Sequence, residues 1–122
     1  MSREEYTTIV LHIAAERAAE FEAMFAREEL PRWDDYTGRR RFLDARLIRC
    51  AYSQLQSEGI QDYVLQVVAA DSEAHHEHDA DPGFQDYNRR ADAFQPQEPT
   101  VMFGELVFER RARHPGAEGS AG

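Results

Sequence analysis

Three of the five histidines of this chain fall within four positions, at His75, His76 and His78, with Asp79 directly after them. Imidazoles and a carboxylate so closely spaced can bind a divalent cation or move protons near neutral pH. The segment reads Ser72-Glu-Ala-His75-His76-Glu-His78-Asp-Ala-Asp-Pro82-Gly-Phe84-Gln-Asp-Tyr87, a short helix, a break at Asp81-Pro82-Gly83 and a second helix. On a helix, His75 and His78 share a face with Asp79 beside His75, whereas His76 is rotated away by about 100°. The usual pairing of metal-binding histidines is i to i+4, so the spacing argues against a metal site. His78 is the candidate catalytic base, the alternative being a helix-surface or capping residue. His12 lies on a strand face opposite to Ile9, Leu11 and Ile13 and reads as a sheet-interface residue.

Other chemistries find no support. No G-x-S-x-G elbow and no phosphate-binding glycine loop occurs. Cys50 is the only cysteine, which precludes an intrachain disulfide, and its place within an apolar strand suggests a small buried hydrophobe. A net charge of -9 repels phosphate backbones and anionic lipid, so neither nucleic acid nor a membrane surface is expected as a partner. All 14 basic residues are arginines, and the run Arg39-Arg40-Arg41 is too short for a nucleic-acid patch. The sequence contains no signal-peptide core and nothing near the roughly 20 apolar residues of a membrane span, so a soluble cytoplasmic protein is expected.

With 122 residues and 42% apolar content, the chain suits one globular domain over 1–111, followed by a disordered tail over 112–122. Tyr6 to Ala15 alternates as a strand, with Ile9, Leu11 and Ile13 on one face and Thr8, Val10 and His12 on the other. Ala18, Phe21, Met24 and Phe25 then form a helical stripe that Pro31 should stop. Pro31 to Gly38, with Trp33 and Tyr36, reads as an aromatic flap, or as a segment whose Trp closes one end of the core. Phe42 to Gln54 and Ile60 to Ala70 read as a hairpin around a turn ending at Gly59, with Leu43, Ala45 and Leu47 on one face of the first strand. Asp71-Ser72 caps the histidine helix; Phe84, Tyr87, Asn88 and Ala91 continue at helical spacing after the break. Thr100 to Arg110 is the last strand.

The order strand, helix, strand, strand, helix, strand predicts an α+β fold of the ferredoxin-like βαββαβ kind, a four-stranded antiparallel sheet with two helices on one face. Val10, Ile48, Val64 and Val68 would then lie uncovered on the other face. The economical cover is a second copy, sheet against sheet, so a homodimer through that face is expected.

The order of elements, the apolar first strand, Gly38 before the second strand and the pattern Ser72-x-Ala74-x-x-x-His78-x-x-x-Pro82-x-Phe84-x-x-Tyr87 resemble the dimeric α/β-barrel superfamily, in particular its antibiotic-biosynthesis-monooxygenase (ABM) type of domain. The resemblance covers most of the chain. It implies a dimeric barrel and, among several activities, cofactor-independent oxygenation of an aromatic or polyketide-derived substrate. It also leaves open a polyketide cyclase or isomerase and a non-catalytic ligand-binding or accessory barrel. Heme degradation is less favoured: the resemblance implies for that branch an Asn on the first strand, a Trp at the end of the third and a His on the second helix, and this chain has only the last, at His78.

Cofactor-free oxygenation needs a base, a group to hold the resulting anion and a dry aromatic pocket. His78 supplies the base without metal or other cofactor, and Trp33, Tyr36, His75, Phe84, Tyr87 and Asn88 are the candidate substrate-binding residues, with Arg46 a second possible anion holder. The alternative for Phe21, Phe25, Phe84 and Tyr87 is an ordinary helix-on-sheet core. A cavity of at least ~300 Å3 touching His78 would favour an enzyme, and a packed interior an accessory protein.

Overall fold

The structure, a computed structural model, describes residues 3–112. Strand β1 (Glu5–Ala14) has Thr7, Ile9, Leu11 and Ile13 on one face and Tyr6, Thr8, Val10 and His12 on the other. It pairs antiparallel with β3 (Ile60–Ala69) on one side and β4 (Gln97–Gly104) on the other, and β2 (Phe42–Arg49) pairs antiparallel with β3, which gives the sheet order β2-β3-β1-β4. This is the expected ferredoxin-like arrangement.

Between β1 and β2 the chain is helical almost throughout. A 3-10 turn (Ala15–Arg17) leads into α1 (Ala18–Met24), a π-helical stretch (Phe25–Glu29) and α2 (Leu30–Gly38). Pro31 was expected to stop the helix, and it does not. The backbone N–H of Leu30 reaches back five residues to the carbonyl of Phe25, and Pro31 falls in the first turn of α2, where its missing donor is not needed. The widened turn therefore lets one helical rod carry the proline, and the expected flap is the end of that rod, with Trp33 and Tyr36 in the core.

Helix α2 ends in a Schellman motif: Arg40 donates to the Thr37 carbonyl at 3.0 Å and Arg41 to the Tyr36 carbonyl at 2.8 Å. That places Arg40 at φ 59°, the left-handed position that glycine usually takes, two residues after Gly38. In β2 the register shifts between Phe42 and Asp44, so Phe42 turns into the core and Leu43, expected inside, is 40% exposed.

Helix α3 (Ser72–Ala80) is capped by Asp71, whose carboxylate accepts from Ala74 N at 2.8 Å. Asp81 ends α3 and caps α4 (Pro82–Ala91), accepting from Gly83 N at 2.8 Å and Phe84 N at 3.3 Å. The expected break at Asp81-Pro82-Gly83 is thus a capped joint, with Pro82 at the first helical position. A 3-10 turn (Asp92–Phe94) precedes β4.

Strand β4 begins three residues earlier than expected and ends at Gly104, not Arg110, because Gly104 already pairs with Tyr6 and β1 has almost no backbone left to offer. Residues 105–112 continue unpaired, with Val107 and Phe108 largely exposed. Of the expected tail, residues 113–122 lie outside those described.

The core lies between the helices and one sheet face. Ile13, Tyr63 and Ala69 from the sheet pack with Phe21, Met24, Phe25, Trp33, Tyr36, Ala74, Tyr87, Ala91 and Phe94. On the opposite face Val10 and His12 are buried, whereas Ile48 and Met102 stand 44% and 49% exposed. No helix among the described residues is long and apolar enough to cross a membrane.

Candidate functional site

Beneath the helices lies a cavity of about 80 Å3, floored by Thr7, Ile9, Leu65, Val67 and Ala69 and walled by Trp33, Phe42 and Phe84. Its polar lining is Glu29, His75, His78 and Asp79. Alternation places the floor residues on the helix-facing side of β1 and β3, while the capped start of α3 points His75 and His78 down onto them.

Within the polar lining, His78 lies between Glu29 and Asp79. Its ring is buried, with Phe84 at 4.2 Å, Phe42 at 5.1 Å and Tyr36 at 5.4 Å between ring centres. Nε2 meets Glu29 Oε2 at 2.8 Å, and Glu29 accepts from Arg32 Nε at 2.7 Å through its other oxygen. On the far side Nδ1 lies 3.3 Å from Asp79 Oδ1, and Asp79 Oδ2 lies 2.9 Å from His75 Nε2, whose other nitrogen contacts Glu5. Burial alone would push the His78 pKa down; the two carboxylates outweigh it and hold the imidazole above its ordinary value. Asp79 shows the converse: burial raises its carboxyl, but the hydrogen bond from His78 and the charge of His75 bring it below the usual carboxylate range.

The π-helical stretch decides the Glu29 position. It turns a residue beside charged Arg27 and Glu28 into the interior, where Glu29 is only 2% exposed. Arg32, one turn on in α2, also lies 4.0 Å from Asp81 and over the Phe84 ring at 5.9 Å, so one guanidinium ties Glu29 to the α3–α4 joint. Gly83 leaves room for it, since a Cβ there would meet Arg32 Nη1 at 2.8 Å.

Of the residues singled out from sequence, His78, His75, Trp33 and Phe84 meet in the cavity wall. Tyr36 backs the His78 ring from the core without lining the cavity, and Tyr87 packs against Phe25 and Phe84 in the same core. Burial drives the Tyr87 hydroxyl pKa well above its ordinary value. Asn88 faces solvent on α4, and Arg46 pairs with Asp44 on the outer side of β2. His76 is exposed, as expected, and no cluster of metal-ligand type is found among the described residues. Glu29 and Arg32 were missed. The available signal was spacing: Glu29 falls four residues after Phe25, on the apolar stripe, where an acid needs a partner.

The cavity is well below the ~300 Å3 set for a small-molecule site. Trp33, however, also lines a groove of about 480 Å3 at the β2 edge, together with Phe25, Leu30 and Leu47. Trp33 is thus the side chain that lines both the cavity and the groove.

The architecture recurs in solved structures. A Caulobacter crescentus protein assigned by name alone to the antibiotic biosynthesis monooxygenases aligns over 88% of this chain and 92% of its own, with a TM-score of 0.69 and 19% identity. SnoaB from Streptomyces nogalater, a cofactor-independent oxygenase solved in a mutant form, aligns over 93% of this chain and 99% of its own, with a TM-score of 0.60 and 22% identity. A Nitrosomonas europaea protein of the same assigned name aligns over 88% and 94% with a TM-score of 0.69 at 6% identity. No protein-family profile and no curated protein matches the chain. The chain has the ferredoxin-like fold of ABM-type domains, and at these identities the likeness is one of fold.

Proposed function

We propose that this protein is a small-molecule enzyme of the monooxygenase kind, in which His78 takes a proton from an aromatic or polyketide-derived hydroxyl without metal or flavin. The observation that carries the reading is the buried Arg32–Glu29–His78 array at the cavity wall. Glu29 holds the proton on Nε2, and Nδ1, on its longer 3.3 Å contact to Asp79, is the nitrogen that gives up its proton to expose the lone pair that acts as base. Deprotonation makes the substrate electron-rich enough to reduce dioxygen itself. The substrate supplies the electrons, one oxygen atom ends in the product and the other leaves as water. The apolar walls favour such a reaction by excluding competing water.

Oxygen uptake with a panel of hydroquinones tests this. His78→Ala should lower the rate ~10²–10⁴-fold, the usual worth of a positioned base. Unchanged uptake would sink the assignment. An isomerised or cyclised product formed without oxygen loss would instead mark the same base in a cyclase.

The cavity of about 80 Å3 favours a second reading, a non-catalytic ligand-binding or accessory barrel. It has room for only about two or three waters at ~30 Å3 each. Saturable binding of a hydroquinone with neither oxygen loss nor product would establish that reading. In either case we propose a homodimer through the outer sheet face, where Ile48 and Met102 stand exposed. A sedimentation mass of one chain at micromolar concentration would refute the dimer.

A further inference from the structure

A base buried as His78 is must lose the proton it gains before it can act again, and the residue, 8% exposed, has little direct contact with solvent. Phe42, Phe84 and Tyr36 pack around the ring, and Nε2 is held by the interior Glu29, itself held by Arg32. Nδ1 has one neighbour of a different kind. Asp79 Oδ1 lies 3.3 Å away, yet the Asp79 side chain is 52% exposed, against 10% for His78. The same carboxylate is also held by His75 Nε2 at 2.9 Å, a side chain more buried than Asp79 itself, and His75 is braced by Glu5 of β1, which borders a broad surface depression of about 620 Å3. His76 stacks on His75 at 5.9 Å, and Phe103 of β4 packs against the His75 ring at 5.1 Å.

We infer that Asp79 is the proton shuttle of the cavity and that His75, braced by Glu5, is the residue that positions it. The N–H bond at His78 Nδ1 breaks and an O–H bond forms on Asp79 Oδ1. The carboxyl then turns about its Cβ–Cγ bond and gives the proton to water, leaving His78 neutral at Nδ1 and Asp79 an anion again, with no net change in the protein. Arg32 and Asp81 stay on the other side of the imidazole and take no part. Because Asp79 begins as a carboxylate below its usual range, it accepts the proton only in passing and does not retain it.

This inference deepens the reading of His78 as base, but its exchange measurement needs no substrate, and turnover of His78→Ala tests that reading separately. Nitrogen-15 NMR of histidine-labelled protein reads the exchange of the His78 ring proton with water and its pH dependence. Asp79→Asn keeps the shape and cannot carry a proton; it should slow exchange at least tenfold, and millimolar formate should restore it. His75→Ala should slow exchange less, with Asp79 still present. Exchange at His78 that is unchanged in Asp79→Asn, or slowed but not rescued by formate, overturns the shuttle. If exchange slows and is rescued while His78→Ala keeps full turnover, the shuttle stands and the base assignment falls.

Discussion

Replacing Glu29 by Gln tests whether the buried array organises this interior. The carboxylate is 2% exposed and accepts two charge-assisted bonds, from Arg32 at 2.7 Å and from His78 at 2.8 Å. An amide of the same shape can accept only one of them; its NH2 must then point at the other donor. Removing one partner of a buried ion pair costs about 3–5 kcal/mol, and the 4.0 Å contact between Arg32 and Asp81 argues for the lower end. For a domain of this size a loss of about 3 kcal/mol lowers Tm by roughly 12 °C. Urea unfolding at several pH values is the assay, with Glu28→Gln as control, since Glu28 lies on the surface with Arg90 and should change stability by no more than about 1 kcal/mol.

The pH dependence gives the same test a sign. The folded pKa of His78 is raised above its ordinary 6.5, so the array contributes stability that is fully present below that value and lost as pH rises through the folded one. Glu29→Gln should flatten the stability profile across that window and lower the His78 pKa measured by NMR. A loss no larger than in Glu28→Gln, with the His78 titration unmoved, would show that the array does not hold the imidazole.

Trp33→Ala should join the cavity to the groove beside β2, cost about 3–5 kcal/mol of stability and let the interior bind a small aromatic such as indole, read by calorimetry; no gain in binding would mean that the indole is not the barrier. Asp81→Ala removes the acceptor for Gly83 N and Phe84 N and should cost about 1 kcal/mol in chemical denaturation, a neutral result counting against its capping role. Arg40→Gly relieves the left-handed backbone at φ 59° and should raise stability by about 0.5–1 kcal/mol, whereas destabilisation would show that the Arg40 side chain outweighs the strain.

Much of the architecture is legible in the amino-acid order because it depends on local periodicity. Alternation in 6–13 and 60–69 marks strands with a defined inner face, and Asp71 and Asp81 announce two helix starts, since a short acidic side chain satisfies the free N–H groups there whatever the rest of the chain does. The helical angle between His75, His76 and His78 likewise puts two rings on one face and the third off it, while only the packing decides that the shared face looks inward. What the order of residues does not settle is how two elements meet. Pro31 reads as a stop because local rules penalise it; a π turn, stabilised by the aromatic core around Phe25 and Trp33, absorbs the penalty and carries the helix to Gly38. That same turn brings Glu29 to His78 across 49 residues, a pairing invisible to any local pattern because only the folded interior makes an isolated carboxylate costly enough to require the imidazole and Arg32 as its partners. The histidine segment is therefore determined by sequence as a place where a base could stand, and tertiary structure buries His78 there between Glu29 and the half-exposed Asp79.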